Sequence, residues 1–186
     1  MSSISEARIL IIATDGVEQV ELTTPRDELR KAGAKVDVAS PSGNAIRGWN
    51  TTDWGDTIPV DLKLSDVNCD TYDALVLPGG VANPDKLRVD ETAMEIVQYF
   101  LNSEKLVAAV CHGPWLLVEA DACDGRRMTS YPSIRTDVEN AGADWVDEEV
   151  VQDGAIVTSR NPKDLPAFSA RIVEALKTGD YARAAE

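Results

Sequence analysis

Short, uninterrupted apolar runs alternate along this chain with segments that have the apolar spacing of helices. The runs at residues 8–14 (RILIIAT), 73–77 (DALVL) and 106–110 (LVAAV) lack the polar alternation of a strand that has one face in water. Such runs are typical of strands that are buried on both faces. Because helical segments lie between them, the pattern predicts an α/β fold with a mostly parallel, doubly wound sheet.

The remaining elements follow from turn and capping signals. A helix is predicted from Pro25 to about residue 32, with Thr24 as its N-cap. The Gly- and Trp-rich segment 43–64 is predicted to form a hairpin, and strands at 145–151 and 155–159 are predicted to pair around Asp153-Gly154. Further strands are expected at 36–39 and 128–130, and further helices at 91–102, 114–120, 133–141 and from 161 to about 177. No repeat or linker divides the chain, so we expect one domain over residues 1–186.

The chain is strongly acidic, with 32 acidic side chains against 18 basic ones and a formal net charge of −14. The acidic residues are scattered through every segment, so they predict a solvated acidic surface. Because such a surface repels phosphate groups, we expect neither nucleic acids nor anionic membranes as partners. The surplus of aspartate over lysine is also consistent with adaptation to high salt, which we treat as a hypothesis.

Three cysteines and one histidine limit the redox and metal chemistry of the chain. The number of cysteines is odd, so we expect no disulfide framework among Cys69, Cys111 and Cys123. None of them is part of a C-x-x-C pair, and we expect neither a metal site nor a cofactor. No apolar run has membrane-spanning length, and the first residues lack the apolar stretch of a secretory signal. We therefore expect a cytoplasmic protein.

The carboxyl ends of parallel strands are the usual ligand-binding edge of a doubly wound sheet. In this chain they select the loops at residues 15–21, 78–85 and 111–115, each of which follows one of the apolar runs. These three loops hold most of the side chains with chemical potential. We therefore expect the functional site where they meet.

Cys111 follows the apolar run at 106–110 directly, and Gly113 comes two residues later, before a predicted helix. This is the strand–turn–helix arrangement of a nucleophile elbow, whose sharp turn exposes the nucleophile and requires a small residue. The N-terminus of the following helix is expected to favour the thiolate over the thiol. We predict that Cys111 is the reactive cysteine, and that Cys69 and Cys123, which lack such a setting, are inert.

Groups that move protons or stabilise negative charge are predicted beside the elbow. His112 is a candidate general acid or base. The backbone N–H of His112, with that of Gly79 or Gly80, is a candidate oxyanion hole. A plain tight turn at the two glycines is the alternative interpretation.

Glu18 and Glu21 lie in the loop after the first apolar run. A carboxyl group buried there beside a thiol would have a raised pKa and could share a proton with the sulfur. Both residues are therefore candidate members of the site. A capping or surface role is the alternative for each of them.

Three segments of the chain resemble the DJ-1/PfpI superfamily, and in particular its PfpI-like branch of bacterial and archaeal stress proteins. They are residues 13–21 (ATDGVEQVE), 77–80 (LPGG) and 110–114 (VCHGP). Further similar stretches are 129–132 (TSYP), 140–143 (NAGA), 149–151 (EVV) and 158–168 (TSRNPKDLPAF). The resemblance therefore covers nearly the whole chain.

The resemblance implies a flavodoxin-like three-layer sandwich with an oxidisable elbow cysteine. It identifies Glu21 as the loop glutamate that is hydrogen-bonded to this cysteine, with Glu18 as its neighbour. It also implies that Asp85 of the partner subunit contacts His112. That contact requires a homo-oligomer, either a dimer or a hexamer.

The resemblance further implies an enzyme in which the thiolate of Cys111 attacks small dicarbonyls, as a glutathione-independent glyoxalase or as a deglycase of glycated proteins. An intracellular cysteine peptidase or amidase is one alternative. A non-enzymatic stress sensor with an oxidisable cysteine is another. A glutamine amidotransferase needs a second histidine downstream, which the chain lacks. A nucleotide-binding flavodoxin is disfavoured because no Gly-rich phosphate loop follows the first strand.

Overall fold

The computed structural model describes residues 4–181, so the two ends of the predicted 1–186 domain lie outside the described residues. The strands are β1 (Arg8–Ile12), β2 (Val17–Glu18), β3 (Lys35–Ser40), β4 (Ile46–Asn50), β5 (Asp53–Ile58), β6 (Leu62–Lys63), β7 (Ala74–Leu77), β8 (Leu106–Val110), β9 (Arg127–Met128), β10 (Asp144–Trp145), β11 (Val150–Asp153) and β12 (Ile156–Ser159). The α-helices are α1 (Gln19–Lys31), α2 (Ala82–Leu87), α3 (Glu91–Asn102), α4 (Trp115–Glu119), α5 (Arg135–Asn140) and α6 (Leu165–Thr178).

The central sheet has seven strands in the order β11-β12-β8-β7-β1-β3-β6. All neighbours pair in parallel except β11, which runs antiparallel to β12 at one edge. One face of the sheet packs against α1 and α6, for example through Leu22 and Phe168. The other face packs against α3 and α4, through residues such as Phe100 and Leu117. The predicted mostly parallel sheet and three-layer sandwich are confirmed.

Strands β8, β7 and β1 lie next to one another in the centre of this sheet. Since they are parallel, their carboxyl ends lie at the same edge. The loops after Ile12, Leu77 and Val110 therefore meet there, as the sequence predicted.

The first helix begins earlier than predicted. Helix α1 starts at Gln19, so Thr24 is not its N-cap and Pro25 lies inside the helix. The sequence does not mark the true start of the helix, because its first turn has no capping side chain. The residues before Pro25 are already helical, and the hydroxyl of Thr23 donates to the carbonyl oxygen of Gln19 at 2.9 Å. As a result Glu21 lies in the first turn of a helix instead of a loop.

Two other predictions need correction. The sequence predicts a loop over residues 78–85, but this segment includes the start of α2, a helix too short to show apolar periodicity. Residues 145–151 do not form one strand. Instead β10 pairs with β9, and only β11 forms the hairpin with β12 around Asp153-Gly154.

Helix α6 begins where the sequence predicted. Asn161 opens a 3-10 turn at Pro162–Asp164, and its side-chain oxygen accepts from the N–H of Lys163 at 3.0 Å. The helix ends at Thr178 and is capped by Gly179, which has a φ of 72°. At 14 residues this helix is short, and in the range 4–181 no helix combines the length and apolar character needed to cross a membrane.

The acidic surface leads to a prediction about salt. With a net charge of −14 the folded chain repels itself, and salt screens this repulsion. We expect the melting temperature at pH 7 to rise by about 5 °C between 0.1 and 2 M KCl, equivalent to about 1–2 kcal/mol. Calorimetry at both salt concentrations measures it. The same series near the pI of about 4.4, where the net charge vanishes, is the control and should show a much smaller rise. A melting temperature at pH 7 that stays constant or falls would contradict the hypothesis of salt adaptation.

Candidate active site

Cys111 occupies a strained turn between β8 and α4. Its φ is 62°, a left-handed backbone conformation that residues other than glycine rarely adopt. Two hydrogen bonds hold the turn. The N–H of Cys111 donates to the carbonyl oxygen of Ser159 at 3.0 Å, and the carbonyl oxygen of Cys111 accepts from the N–H of Tyr131 at 2.8 Å. This geometry is that of a nucleophile elbow, as predicted.

Gly113 allows the elbow to pack against β7. A Cβ atom at this position would lie 2.3 Å from the carbonyl oxygen of Leu77 and 2.8 Å from that of Val110. Neither oxygen belongs to a flexible side chain, so any larger residue would displace the strands. The N–H of Gly113 donates to the carbonyl oxygen of Val110 at 2.8 Å, so this glycine shapes the turn and its N–H already has a partner.

Glu21 is fully buried beside the thiol of Cys111. Its Oε2 atom accepts a hydrogen bond from the N–H of Gly79 at 2.9 Å. Its Oε1 atom is buried without a nitrogen or oxygen partner among residues 4–181. Burial raises the pKa of Glu21 to about 8, although the thiol of Cys111 and the N–H groups of Gly79 and Gly80 oppose the rise. The carboxyl group therefore holds a proton at neutral pH.

Burial also raises the pKa of the Cys111 thiol, and the negative charge of an ionised Glu21 raises it further. The N–H groups of Gly80 and His112 act in the opposite direction. The sequence predicted a thiolate favoured by the following helix, but α4 has only five residues and burial is the larger influence. Once Glu21 carries its proton, its charge no longer opposes ionisation of the sulfur. The proton on Glu21 therefore removes one of the causes that raise the pKa of the thiol, and burial remains.

Gly79 and Gly80 bring the second loop close to the elbow. A Cβ atom on Gly79 would lie 2.6 Å from Oε2 of Glu21 and 2.8 Å from Cβ of Cys111. The N–H of Gly79 is already used by Glu21, whereas those of Gly80 and His112 stabilise negative charge on the sulfur. The oxyanion hole formed by His112 with Gly79 or Gly80 stays a prediction.

The ring of His112 contacts both the nucleophile and a residue that the sequence did not single out. Its Nδ1 atom lies 3.2 Å from Sγ of Cys111, and its Nε2 atom lies 3.1 Å from Oγ of Ser133. The ring stacks on Tyr131 with the centroids 4.9 Å apart. Burial lowers the pKa of His112 below its usual value of about 6.5, so the ring is neutral at pH 7.

Of the other two predicted acidic residues, Glu18 lines the same cavity as Cys111 and Asp85 does not. Glu18 is half-buried, and its Oε1 atom accepts from the N–H of Thr51 at 3.3 Å. Asp85 lies exposed on α2. The contact between Asp85 of the partner subunit and His112 stays a prediction.

A cavity of about 680 Å³ opens over the thiol. Its walls combine five of the predicted site residues with aromatic and polar side chains that the sequence analysis did not assign to the site. The lining residues are Gly16, Glu18, Glu21, Trp49, Thr51, Trp54, Gly80, Val81, Ala82, Cys111, His112, Tyr131, Ser133 and Pro162. The only sequence signal for the two tryptophans was their place in the Gly-rich hairpin at 43–64.

Cys69 and Cys123 do not line this cavity. Cys123 is fully buried in the core below α4, and Cys69 is half-buried at the start of a 3-10 turn. Burial raises the pKa of both thiols. Within residues 4–181, no three histidine, cysteine or acidic side chains are grouped as metal ligands.

Comparison with known proteins places this geometry in a family. A deglycase of Pyrococcus abyssi is 47% identical over 170 residues, which cover 91% of this chain and 99% of the relative. General stress protein 18 of Bacillus subtilis is 43% identical over 87% of this chain and 93% of the relative. The crystal structure of DJ-1beta from Drosophila melanogaster is 32% identical, with a TM-score of 0.85 over 92% of this chain and 90% of that one.

The model of the DJ-1/PfpI family matches residues 7–175, which include the elbow, the double glycine and both glutamates. The solved relative has the same flavodoxin-like arrangement of sheet and helices. The match spans all three loops that meet above Cys111. The chain belongs to the DJ-1/PfpI family.

Proposed function

We propose that this protein is a stress-protective enzyme that acts on reactive dicarbonyls, as a glutathione-independent glyoxalase or as a deglycase. One observation carries the proposal: Cys111 lines a cavity together with the buried carboxyl of Glu21 and with His112, whose Nδ1 atom lies 3.2 Å from the sulfur. The names of its relatives, a deglycase and a general stress protein, support the same class of function.

The first step is attack on the aldehyde carbon by the sulfur. Nδ1 of His112 accepts the thiol proton, and the sulfur forms a bond to the carbon while the carbonyl electron pair moves to oxygen. The N–H groups of Gly80 and His112 stabilise the negative charge. In an adduct with an amine, the new S–C bond replaces the C–N bond and the amine leaves with a proton.

The second step needs no external oxidant. His112 first returns the thiol proton to the alkoxide and is then free to act as a base. It removes the hydrogen from the carbon bound to sulfur and returns that proton to the neighbouring ketone carbon, while the hydroxyl proton of the first carbon moves to the ketone oxygen. The first carbon is thereby oxidised and the second is reduced within one molecule. Water then cleaves the thioester, which releases lactate and restores the thiol.

The burial of the thiol favours this chemistry over peptide hydrolysis. Cys111 is only 5% exposed, and the cavity that it lines also has Trp49, Trp54 and Val81 in its wall. A small carbonyl compound reaches such a sulfur more readily than a peptidase substrate, whose extended backbone must pass on both sides of the scissile bond. The test is formation of D-lactate from methylglyoxal without glutathione by the wild type and by Cys111→Ala.

Ser133 is proposed to orient His112. If its hydroxyl accepts Nε2–H, then Nδ1 is left unprotonated and can accept the thiol proton. We expect Ser133→Ala to lower kcat about tenfold with little change in KM, because the cavity walls remain. Ser133→Thr, which keeps the hydroxyl, is the matched control and should retain most of the activity. Equal losses in both variants, or a loss confined to KM, would contradict the orienting role.

A further inference from the structure

Asn83 is a fully buried polar residue that lies in the first turn of α2, outside the lining of the cavity. Its Oδ1 atom accepts from the N–H of Thr14 at 2.8 Å, and its Nδ2 atom donates to the carbonyl oxygen of Pro78 at 2.9 Å. The N–H of Thr14 can only donate and the carbonyl of Pro78 can only accept, so the two ends of the amide cannot be exchanged. The side chain therefore joins the segment after β1 to the segment after β7.

These two segments pack backbone against backbone beside Asn83. A Cβ atom on Gly16 would lie 2.8 Å from Cβ of Ala82, and a Cβ atom on Gly80 would lie 2.6 Å from the backbone nitrogen of Glu18. The space between the two backbones is thus too small for a further side chain. The neighbouring helix supplies the polar side chain that binds both of them.

The carbonyl group that Asn83 binds belongs to the same peptide as the N–H that binds Glu21. The carbonyl oxygen of Pro78 accepts from Asn83, and the N–H of Gly79 donates to Oε2 of Glu21 at 2.9 Å. A hydrogen bond to the oxygen of a peptide polarises the peptide and makes its N–H a stronger donor. Because the peptide is planar, the same bond also fixes the direction of the N–H. Asn83 therefore acts on Glu21 through one peptide group.

This contact decides which oxygen of Glu21 carries the proton. In a carboxylic acid the oxygen without the proton is the better acceptor, so the N–H of Gly79 on Oε2 leaves the proton to Oε1. Within residues 4–181, Oε1 is buried and has no nitrogen or oxygen partner. The thiol of Cys111 forms a hydrogen bond with this carboxyl group. The proton is therefore available to the sulfur.

We propose that Asn83 is a positioning residue of the active site. By holding the Pro78–Gly79 peptide, it fixes Oε2 of Glu21 and leaves the acid proton for the sulfur. The inference rests on the proposed function and adds to the same site a residue that does not touch the substrate. The titratable groups that act on Glu21 are Cys111 at the elbow and Glu18 before α1. Asn83 is uncharged, so it acts through its hydrogen bonds.

The titration of Glu21 tests the proposal without turnover. NMR of protein with labelled glutamate carboxyl carbons follows it, and the Glu21 signal is identified by its absence in Glu21→Gln. We expect a midpoint near the pKa of about 8 in the wild type, and a midpoint higher by about half a unit or more in Asn83→Ala. The midpoint rises because a weaker or misdirected N–H of Gly79 stabilises the ionised carboxylate less. An unchanged or lower midpoint would overturn the proposal.

Lys86→Met is the matched control, because Lys86 lies exposed on the same helix and also binds the loop after β1. Its Nζ atom donates to the carbonyl oxygen of Asp15 at 3.1 Å, and not to that of Pro78. Salt at about 0.15 M screens the loss of this charge, so the midpoint of Glu21 should stay within about 0.2 unit of the wild type. An equal rise in both variants would assign the effect to the anchoring of α2 in general and overturn the role of the Asn83 amide.

Asn83→Asp gives a second test, which also serves if the alanine variant does not fold. A protonated carboxyl at this position accepts from Thr14 and donates to Pro78 as the amide does, whereas an ionised one cannot donate. Burial raises the pKa of such a carboxyl above its ordinary value of about 3.9. We therefore expect kcat within about threefold of the wild type at pH 5.5 and at least about tenfold below it at pH 8.5, with KM nearly unchanged. A merely structural amide would change stability without this pH dependence. A ratio of kcat values that is constant with pH, or a loss confined to KM, would contradict the positioning role.

The two readouts separate failure of this inference from failure of the proposed function. Turnover of methylglyoxal that depends on Cys111, together with an unchanged midpoint of Glu21 in Asn83→Ala, would overturn only the role of Asn83. A raised midpoint in Asn83→Ala, together with a wild type that does not turn over methylglyoxal, would overturn only the dicarbonyl chemistry.

Discussion

Cys111→Ala should reduce the formation of D-lactate from methylglyoxal by at least about a thousandfold, to the rate without enzyme. The variant lacks the atom that forms the covalent bond, and no other thiol lines the cavity. The residue is nearly buried, so alanine leaves the surface of the protein unchanged. The substitution does not change the backbone strain at residue 111, because alanine disfavours the left-handed conformation as cysteine does. A coupled assay for D-lactate without glutathione measures the rate.

Two controls make the result specific. Cys69→Ser removes a half-buried thiol outside the cavity and should keep the rate within about twofold. Cys111→Ser keeps the shape of the elbow but replaces the thiol by a weaker nucleophile, so it should be nearly as inactive as alanine. Equal rates for wild type and Cys111→Ala would remove the cysteine from catalysis. Peroxide treatment and mass spectrometry would then test the sensor role, which requires Cys111 to oxidise before Cys69 and Cys123.

The elbow and its three loops could be predicted because their signals are local. A buried strand, a cysteine and a glycine within a few residues define the turn, and the order of apolar runs defines the sheet edge. The start of α1 could not be predicted in the same way. Pro25 favours a helix start, but α1 begins at Gln19 without a capping side chain, so no residue type marks its first turn.

The contacts that complete the site join residues far apart in sequence. Ser133 meets His112 from 21 residues away, and the N–H of Thr51 meets Glu18 from 33 residues away. Neither pair has a spacing that a motif would reveal. The pKa of Cys111 depends in the same way on burial by surrounding elements. The position of the thiol at a helix start could therefore be predicted from the sequence. The larger effect of burial on its pKa could not.

Glu21→Gln should stabilise the protein at high pH, although it removes a group assigned to the active site. In the folded chain the pKa of Glu21 is about 8, whereas an unfolded chain has the ordinary value of 4.5. Between these values the folded state holds a proton that the unfolded state has released. The stability of the wild type therefore falls as the pH rises through this range, and the full penalty is present above pH 8.

The difference between the two pKa values corresponds to about 5 kcal/mol, which is an upper bound because Glu21 is coupled to Cys111. Glutamine does not ionise, but its buried amide needs an acceptor, which offsets part of the gain. We expect Glu21→Gln to be more stable by about 2–4 kcal/mol at pH 9 and nearly equal to the wild type at pH 5. Urea unfolding at pH 5, 7 and 9 measures the difference.

Asp27→Asn is the control for simple loss of negative charge, because Asp27 lies exposed on the same helix. Its effect should be small and should not grow between pH 5 and 9. A stability difference for Glu21→Gln that is independent of pH, or a less stable variant at pH 9, would contradict a protonated Glu21. The same variant should lose about a hundredfold in kcat, because an amide replaces the carboxylic acid beside the sulfur and is a weaker hydrogen-bond donor to the thiolate. Unfolding cannot explain a loss of activity in a more stable protein. Higher stability together with lower kcat would therefore show that the carboxyl of Glu21 serves activity and lowers stability.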